Sequence, residues 1–340
     1  MKDVRANARE LMKGYCRVCP VCNGKACAGE VPGMGGLGTG SSFMANVEAL
    51  ADYKLRMRLI HSAVTPDTST EVLGLPLSIP VLAAPIGGVS FNMGGKVSED
   101  EYISGLLKAC AANGIVGCTG DGVPPFIYEA GFAAIRAVGG NGIPFIKPWE
   151  DKELFEKLDK AAETGCSVFG IDIDAAGLIT LAKMGRPVTP KTPEKLKEIV
   201  RRVPGKLVLK GVMTVEDAKA AVDVGAAAIV VSNHGGRVLD HTPGTAHALV
   251  DIAEAVGNDI TVLVDGGIRT GVDVLKMLAL GAHAVLIGRP FSIATVGGLE
   301  EGAGKYIQQL QGELTAAMVL SGCQSVADIS TDILTDVLGR

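Results

Sequence analysis

Ile229–Asp240 reads IVVSNHGGRVLD, and the apolar run that feeds it, Ala226 to Val231, shows no polar–apolar alternation. That is the pattern of a strand buried on both faces. The run then breaks into Ser232, Asn233, His234, Gly235, Gly236 and Arg237. A buried strand that ends by releasing an imidazole and a guanidinium, spaced by two glycines, makes a poor core. It makes a good active site, because catalytic groups in α/β proteins project from the carboxyl ends of strands.

Working outward, the same rhythm runs from Pro80 onward. Apolar strand candidates recur at 81–84, 115–119, 143–147, 167–173, 206–211, 227–232, 261–265 and 284–288, with helical patterns between them. Ser98-Glu-Asp-Glu101 and Thr214-Val-Glu-Asp217 read as helix-starting capping boxes, and Thr192-Pro193 places proline at a first helical position. Gly114, Gly225 and Gly281 stand where helix C-caps belong. Eight strands alternating with helices predict a (β/α)8 TIM barrel of the α/β class. The expected division is a cysteine- and glycine-rich N-terminal extension over 1–45 and the barrel over 46–340, with C-terminal helices from about 291.

Composition agrees with many short parallel strands: of 340 residues, 47% are apolar, only 4% aromatic, and 45 are glycine. The net charge is −5 with no Lys/Arg block, so nucleic acid is not expected as a partner. The polar start MKDVRANARE does not read as a signal peptide, and no apolar run reaches the ~18 residues of a membrane span. A cytosolic protein without membrane contact is expected, in which eight cysteines are thiols or metal ligands rather than disulfides.

The N-terminal segment begins with a short helix, expected over 5–14. Four thiols follow, Cys16-x2-Cys19-x2-Cys22-x4-Cys27. Local spacing this dense suits an iron–sulfur cluster, with zinc or free surface thiols as alternatives. The bacterial ferredoxin run is similar but has three residues before its last cysteine. Gly33-Met34-Gly35-Gly36-Leu37-Gly38 satisfies GxGxxG, yet no strand precedes it, so a flexible glycine-rich connection is expected. Gly94-Gly95-Lys96 is no P-loop, because Val97 stands where a Ser or Thr would hold magnesium.

Numbering the strands puts Asp174 after strand 4, Lys210 on strand 5, His234 after strand 6, Asp265 on strand 7 and Arg289 at the end of strand 8. All then face one mouth. His234 is the candidate base, since its ordinary pKa lies near neutrality, and Asp174 comes from a strand of the same parity to orient its ring. Arg237 can fork onto a carboxylate. Asp265-Gly266-Gly267-Ile268-Arg269 and Gly288-Arg289 follow strands 7 and 8, where barrels present backbone N–H groups to phosphates.

SNHGGR-x-LD, together with VLKGV before it and VDGGIRTG and IGRP after it, resembles the FMN-dependent α-hydroxy-acid oxidase and dehydrogenase family, over about Asn46 to Ile329. The resemblance implies FMN as cofactor, a small L-2-hydroxy acid oxidised to the 2-oxo acid, His234 as base with Asp174 behind it, and Arg237 on the substrate's acid group. It implies flavin contacts from Pro85, Ile86, Gly87 and Ser232, with Lys210 near the pyrimidine edge and Asp265 accepting from ribityl hydroxyls, and it implies a homo-oligomer, commonly a tetramer. Three departures stand out. One family tyrosine that touches substrate has no counterpart in the N-terminal segment, and a second aligns near Lys147. No arginine lies in 175–185, which leaves Arg186 as a substitute, and the loop after strand 4 ends early, by about Thr192. The flavin end of the pattern is intact while the substrate end is altered. If the cysteines hold iron and sulfide, a protein electron acceptor joins the expected partners. The alternatives are another FMN barrel, such as a type 2 isopentenyl diphosphate isomerase-like enzyme, or an electron-transfer flavoprotein without turnover.

Overall fold

The structure is a computed structural model that describes residues 1–178, 181, 184–186 and 188–336. Eight parallel strands close into a barrel: β1 Val81–Ile86, β2 Val116–Thr119, β3 Gly142–Ile146, β4 Val168–Asp172, β5 Lys206–Val212, β6 Ala228–Val231, β7 Thr261–Val264 and β8 Ala284–Ile287. Each pairs with its sequence neighbours, and β8 returns to β1 through Val285–Val81 and Leu286–Leu82. All eight expected runs are strands, and the expected (β/α)8 barrel is the fold.

Alternation within each strand sorts the side chains. Leu82, Ala84, Cys118, Ile143, Phe145, Val208, Val230 and Leu286 pack together inside the barrel, while Val81, Ala83, Ile171, Ile229 and Val231 face the helices. Gly170 on β4 leaves room for the Phe145 ring, which a Cβ there would meet at 2.3 Å. The period of two that puts Val168 and Val208 inside also puts Asp172 and Lys210 inside, at the carboxyl end.

Helices cover the outside: α1 Lys2–Leu11, α2 Ser41–Asp52, α3 Glu99–Ala112, α4 Pro125–Ala137, α5 Asp151–Ala162, α6 Pro193–Arg202, α7 Val215–Asp223, α8 Thr245–Val256, α9 Gly271–Ala279 and α10 Arg289–Ser321. Ser98 and Glu101 form the expected reciprocal cap on α3, and Thr192 and Thr214 accept from Lys195 and Asp217 N–H groups to start α6 and α7. Gly114, Gly225 and Gly281 follow α3, α7 and α9 in the left-handed region.

Two elements differ from expectation. The end of the chain is not wholly helical: Leu334–Asp336 pairs antiparallel with Tyr53–Leu55. Three-residue strands leave too short a pattern to read from sequence. The first helix begins at Lys2 rather than residue 5 and packs on α10, where a Cβ at Gly297 would meet the Val4 carbonyl at 2.1 Å. Helix α2 runs without interruption across positions 45 and 46. The short loop expected after β4 falls partly on residues 179, 180, 182, 183 and 187, outside the described residues. Among the described residues no helix is long and apolar enough to cross a membrane.

Candidate active site

The carboxyl ends of the strands surround a cavity of about 290 Å³. It is lined by Pro85 and Ile86 at the end of β1 and Gly87 after it, Lys147 after β3, Lys210 on β5, His234 and Arg237 after β6, Asp265 to Arg269 after β7, and Gly288 and Arg289 after β8. Residues scattered over two hundred positions thus share one mouth. Asp174 and Ser232 stand one layer back, each holding a lining residue.

Lys210 is the centre of the charge arrangement. Its ammonium lies 2.9 Å from Asp172 Oδ1, 3.9 Å from Asp174 Oδ2 and 4.0 Å from Asp265 Oδ2. Burial would pull its pKa down, but the three carboxylates win and hold it well above the usual lysine value. Burial likewise pushes Asp172 up, yet Lys210, His234 and Lys147 hold it well below the carboxylate range. Asp265 is pushed up by burial, against Lys210 and the Ser232 hydroxyl that donates to its Oδ2 at 2.9 Å. Asp172, Asp174 and His234 bring ligand-type atoms within 4.8 Å of one another, but the Lys210 ammonium already supplies the cation.

His234 Nδ1 lies 2.9 Å from Asp174 Oδ1 and 3.5 Å from Lys210 Nζ. With Nδ1 held on the carboxylate side, Nε2 is the nitrogen left for a ligand. The ring is aimed by an unusual backbone. His234, Gly235 and Gly236 have φ values of 58°, 61° and 75°. Positive φ strains a histidine and suits the glycines. At Gly236 a Cβ would meet the Phe43 amide nitrogen at 2.4 Å, so the turn packs directly on α2. Asn233 and Asn46 exchange side-chain hydrogen bonds at 2.8 and 3.0 Å, and the Thr245 amide donates to Asn46 Oδ1, tying α2 to the loop after β6 and to the start of α8.

Three guanidiniums, of Arg237, Arg269 and Arg289, also line the cavity, without an ion pair to any carboxylate among the described residues. Arg237 donates to the Gly33 and Gly35 carbonyls and to Asn92 Oδ1. Arg289 donates to the Met34, Gly35 and Gly235 carbonyls and stacks 3.8 Å over the Phe43 ring. Burial, with Arg237 and Arg269 beside it, pulls Arg289 down. The glycine-rich stretch 33–38 is therefore no flexible connection. Its carbonyls are fixed acceptors for two half-buried cations that lack acids, and a Cβ at Gly35 would meet the Cys27 carbonyl at 2.0 Å.

Two residues at this site have no place in the sequence reading above. Asp172 is the closest acid to Lys210, and its signal was the alternation in Ile171-Asp172-Ile173-Asp174, which turns both carboxylates to one side. Asp121, in the loop after β2, accepts from the Lys147 amide, the Trp149 indole and the Lys157 ammonium at 3.0, 2.6 and 2.7 Å, and so fixes the turn that presents Lys147. Only the tertiary structure joins these partners. Arg186 does not line the cavity; it pairs with Glu153 and lies over the Trp149 ring.

Polar atoms left over show what the cavity suits. On the residues that line it, two buried side-chain atoms have no partner, Arg269 Nε and Asp265 Oδ1. An unused donor on one of three neighbouring guanidiniums fits a phosphate, and an unused acceptor on Asp265 fits a hydroxyl-bearing chain. This donor and acceptor set fits FMN.

The comparisons agree. The family model described as FMN-dependent dehydrogenase matches residues 33–189 and 180–336. An L-lactate dehydrogenase of Caulobacter vibrioides is 32% identical over 87% of this chain and 90% of its own length. An L-lactate oxidase of Nostoc sp. is 31% identical over 88% of this chain and 91% of its own. A crystal structure of mandelate oxidase with benzoyl-formic acid superposes with a TM-score of 0.80 at 30% identity, over 98% of this chain and 97% of that one. A mandelate oxidase mutant carrying a monooxide FMN adduct gives 0.75 at 31% identity, over 91% and 98%. On barrel, cavity and sequence together, this chain belongs to the FMN-dependent dehydrogenase family.

Proposed function

We propose that the protein oxidises a small L-2-hydroxy acid, of the lactate and glycolate class, to the 2-oxo acid, with FMN as resident cofactor. The observation that carries this reading is the His234–Asp174 pair at 2.9 Å on the rim of the cavity. The relatives named for lactate and mandelate support the substrate class. FMN supplies the two-electron acceptor.

Every other part falls to the chain's own residues. His234 Nε2 takes a proton from the substrate, and Asp174 stabilises the imidazolium that results. Arg237 and Lys147 offer cationic donors to the substrate carboxylate in place of the missing tyrosine hydroxyls. Arg269 and Arg289, with the amides of Gly266, Gly267 and Gly288, hold the phosphate. Asp265, held by the Ser232 hydroxyl, would accept from the ribityl hydroxyls, Pro85, Ile86 and Gly87 would border the flavin, and Lys210 would supply a cation beside it. A homo-oligomer belongs to the same reading, because Met57, Leu59, Ile60 and Val64 expose large apolar side chains in one segment.

The test is anaerobic addition of L-lactate or glycolate to the flavin-loaded protein. Rapid bleaching of flavin absorbance in the wild type and a loss of at least about 100-fold in its rate in His234→Ala are expected. Failure of both acids, and of larger 2-hydroxy acids, to bleach the flavin would remove the proposal.

A further inference from the structure

The four N-terminal cysteines take no part in the chemistry described so far. All four are free and half-buried. They line one small cavity, which they share with Met34, Phe43 and Arg289. The loop that carries them is pinned at several points. Arg5 donates to the Cys19 carbonyl at 2.6 Å and Arg9 to the Val18 carbonyl at 2.9 Å, while Arg17 forks onto Glu30. Two of the sulfurs already have N–H donors: the Val18 amide points at Cys16 Sγ, at 3.4 Å, and Arg269 Nη2 at Cys22 Sγ, at 3.7 Å. Convergent thiols, N–H groups aimed at sulfur and unpaired guanidiniums nearby together describe a receptor for an anionic thiolate-held centre.

Spacing separates one metal ion from several. Four thiolates around a single tetrahedral zinc, at about 2.3 Å each, stand roughly 3.8 Å apart. Among the described residues the group of three or more ligand atoms within 4.8 Å is Asp172, Asp174 and His234, and no three of these sulfurs form another. No three of the sulfurs therefore stand as close together as the ligands of one zinc ion do.

Position supplies the role. Met34 and Arg289 line both the cysteine cavity and the large cavity at the barrel mouth, so one layer of side chains divides the two. On the outer side, the loop reaches solvent at Pro20 and at Val21, which is 67% exposed.

We propose that Cys16, Cys19, Cys22 and Cys27 ligate an iron–sulfur cluster that serves as a one-electron outlet from the barrel to a one-electron carrier. The cluster site stands on the cysteine geometry alone, whereas the outlet role rests on the hydroxy-acid reading above. Oxidation of one hydroxy acid releases two electrons and two protons. The cluster takes these electrons one at a time, so it is reduced twice and reoxidised twice; two molecules of a one-electron carrier are each reduced once, and the protons pass to water.

The experiment uses full-length protein purified without oxygen. Iron and acid-labile sulfide are measured, and low-temperature EPR spectra are recorded after dithionite and, separately, after L-lactate or glycolate. Equal amounts of iron and sulfide, more than one of each per chain, and an EPR signal with either reductant are expected. Cys16→Ser/Cys19→Ser should lose iron, sulfide and signal while keeping flavin absorbance and its bleaching by the hydroxy acid. Reduction of a one-electron acceptor such as ferricenium by that variant should fall at least about tenfold. Zinc in place of iron, or no metal in the wild type, overturns the cluster. A cluster that dithionite reduces, but that stays oxidised while the hydroxy acid bleaches the flavin, overturns the outlet. A cluster present with no bleaching by any hydroxy acid leaves the metal site standing, overturns the outlet and removes the substrate reading.

Discussion

His234 has the left-handed backbone, φ 58°, that a β-carbon disfavours, and two glycines in the same region follow it. Strain of about 1–3 kcal/mol persists only where surrounding contacts over-determine it. Here the contacts are Asp174 on the ring, the Ser232 hydroxyl accepting from the His234 amide, and α2 beneath Gly236. Asp174→Asn preserves shape but removes the charge that balances the imidazolium. Its rate of flavin reduction by hydroxy acid, followed by stopped-flow absorbance, should fall about 100-fold or more, with flavin content unchanged. Gly211 on β5 has φ 112°, and a Cβ there would meet Asp174 Cβ at 2.5 Å and its amide nitrogen at 2.9 Å. Gly211→Ala should therefore push the carboxylate off the imidazole and slow the same step about ten- to 100-fold. An unchanged rate would show that the contact has no positioning role. His234, Asp174 and Lys210 were legible because each lies at or just past the carboxyl end of a strand. Gly211 was not, since its neighbour lies thirty-seven positions away.

At the scale of elements, the loop after β1 depends on a carboxylate from α3. Glu99 accepts from the Gly88 and Val89 amides at 3.0 and 2.7 Å. Burial outweighs those two bonds and pushes its pKa up to about 7. A folded-state pKa above the unfolded one means that the fold binds the proton more tightly. Stability from this group is thus complete below about pH 4.5 and declines as pH rises toward 7. Glu99→Gln carries no such slope. Urea unfolding of both proteins should show the wild type losing ground to the variant, on the order of 1–3 kcal/mol, between pH 4.5 and 7. Parallel pH profiles would count against this. The strands, the helix caps and the glycine C-caps could be read because each depends on residues within a turn or two. The glycine stretch 33–38 could not, because what fixes its carbonyls is Arg237 and Arg289, remote in sequence. The pairing of Tyr53–Leu55 with Leu334–Asp336 was hidden for the same reason.

For the whole molecule, the segment holding Met57, Leu59, Ile60 and Val64 leaves Ile60 99% exposed, with Leu320 bonded alongside through Arg58. In a homo-oligomer this strip meets a second copy. Sedimentation should give a multiple of 35.0 kDa for the wild type and a smaller species for Ile60→Asp. A wild-type monomer would remove the assembly. By itself the sequence determined the barrel and the ring of polar groups at its carboxyl end. Strand and helix periods are local, and a parallel barrel sends every strand end to the same face. Only the tertiary structure decided which acid meets Lys210, and that the arginines face one another with carbonyls for partners. It alone showed a cysteine pocket sharing a wall with the main cavity. Those are contacts between distant parts of the chain, set by how the loops pack once the barrel has closed, and no local pattern encodes them.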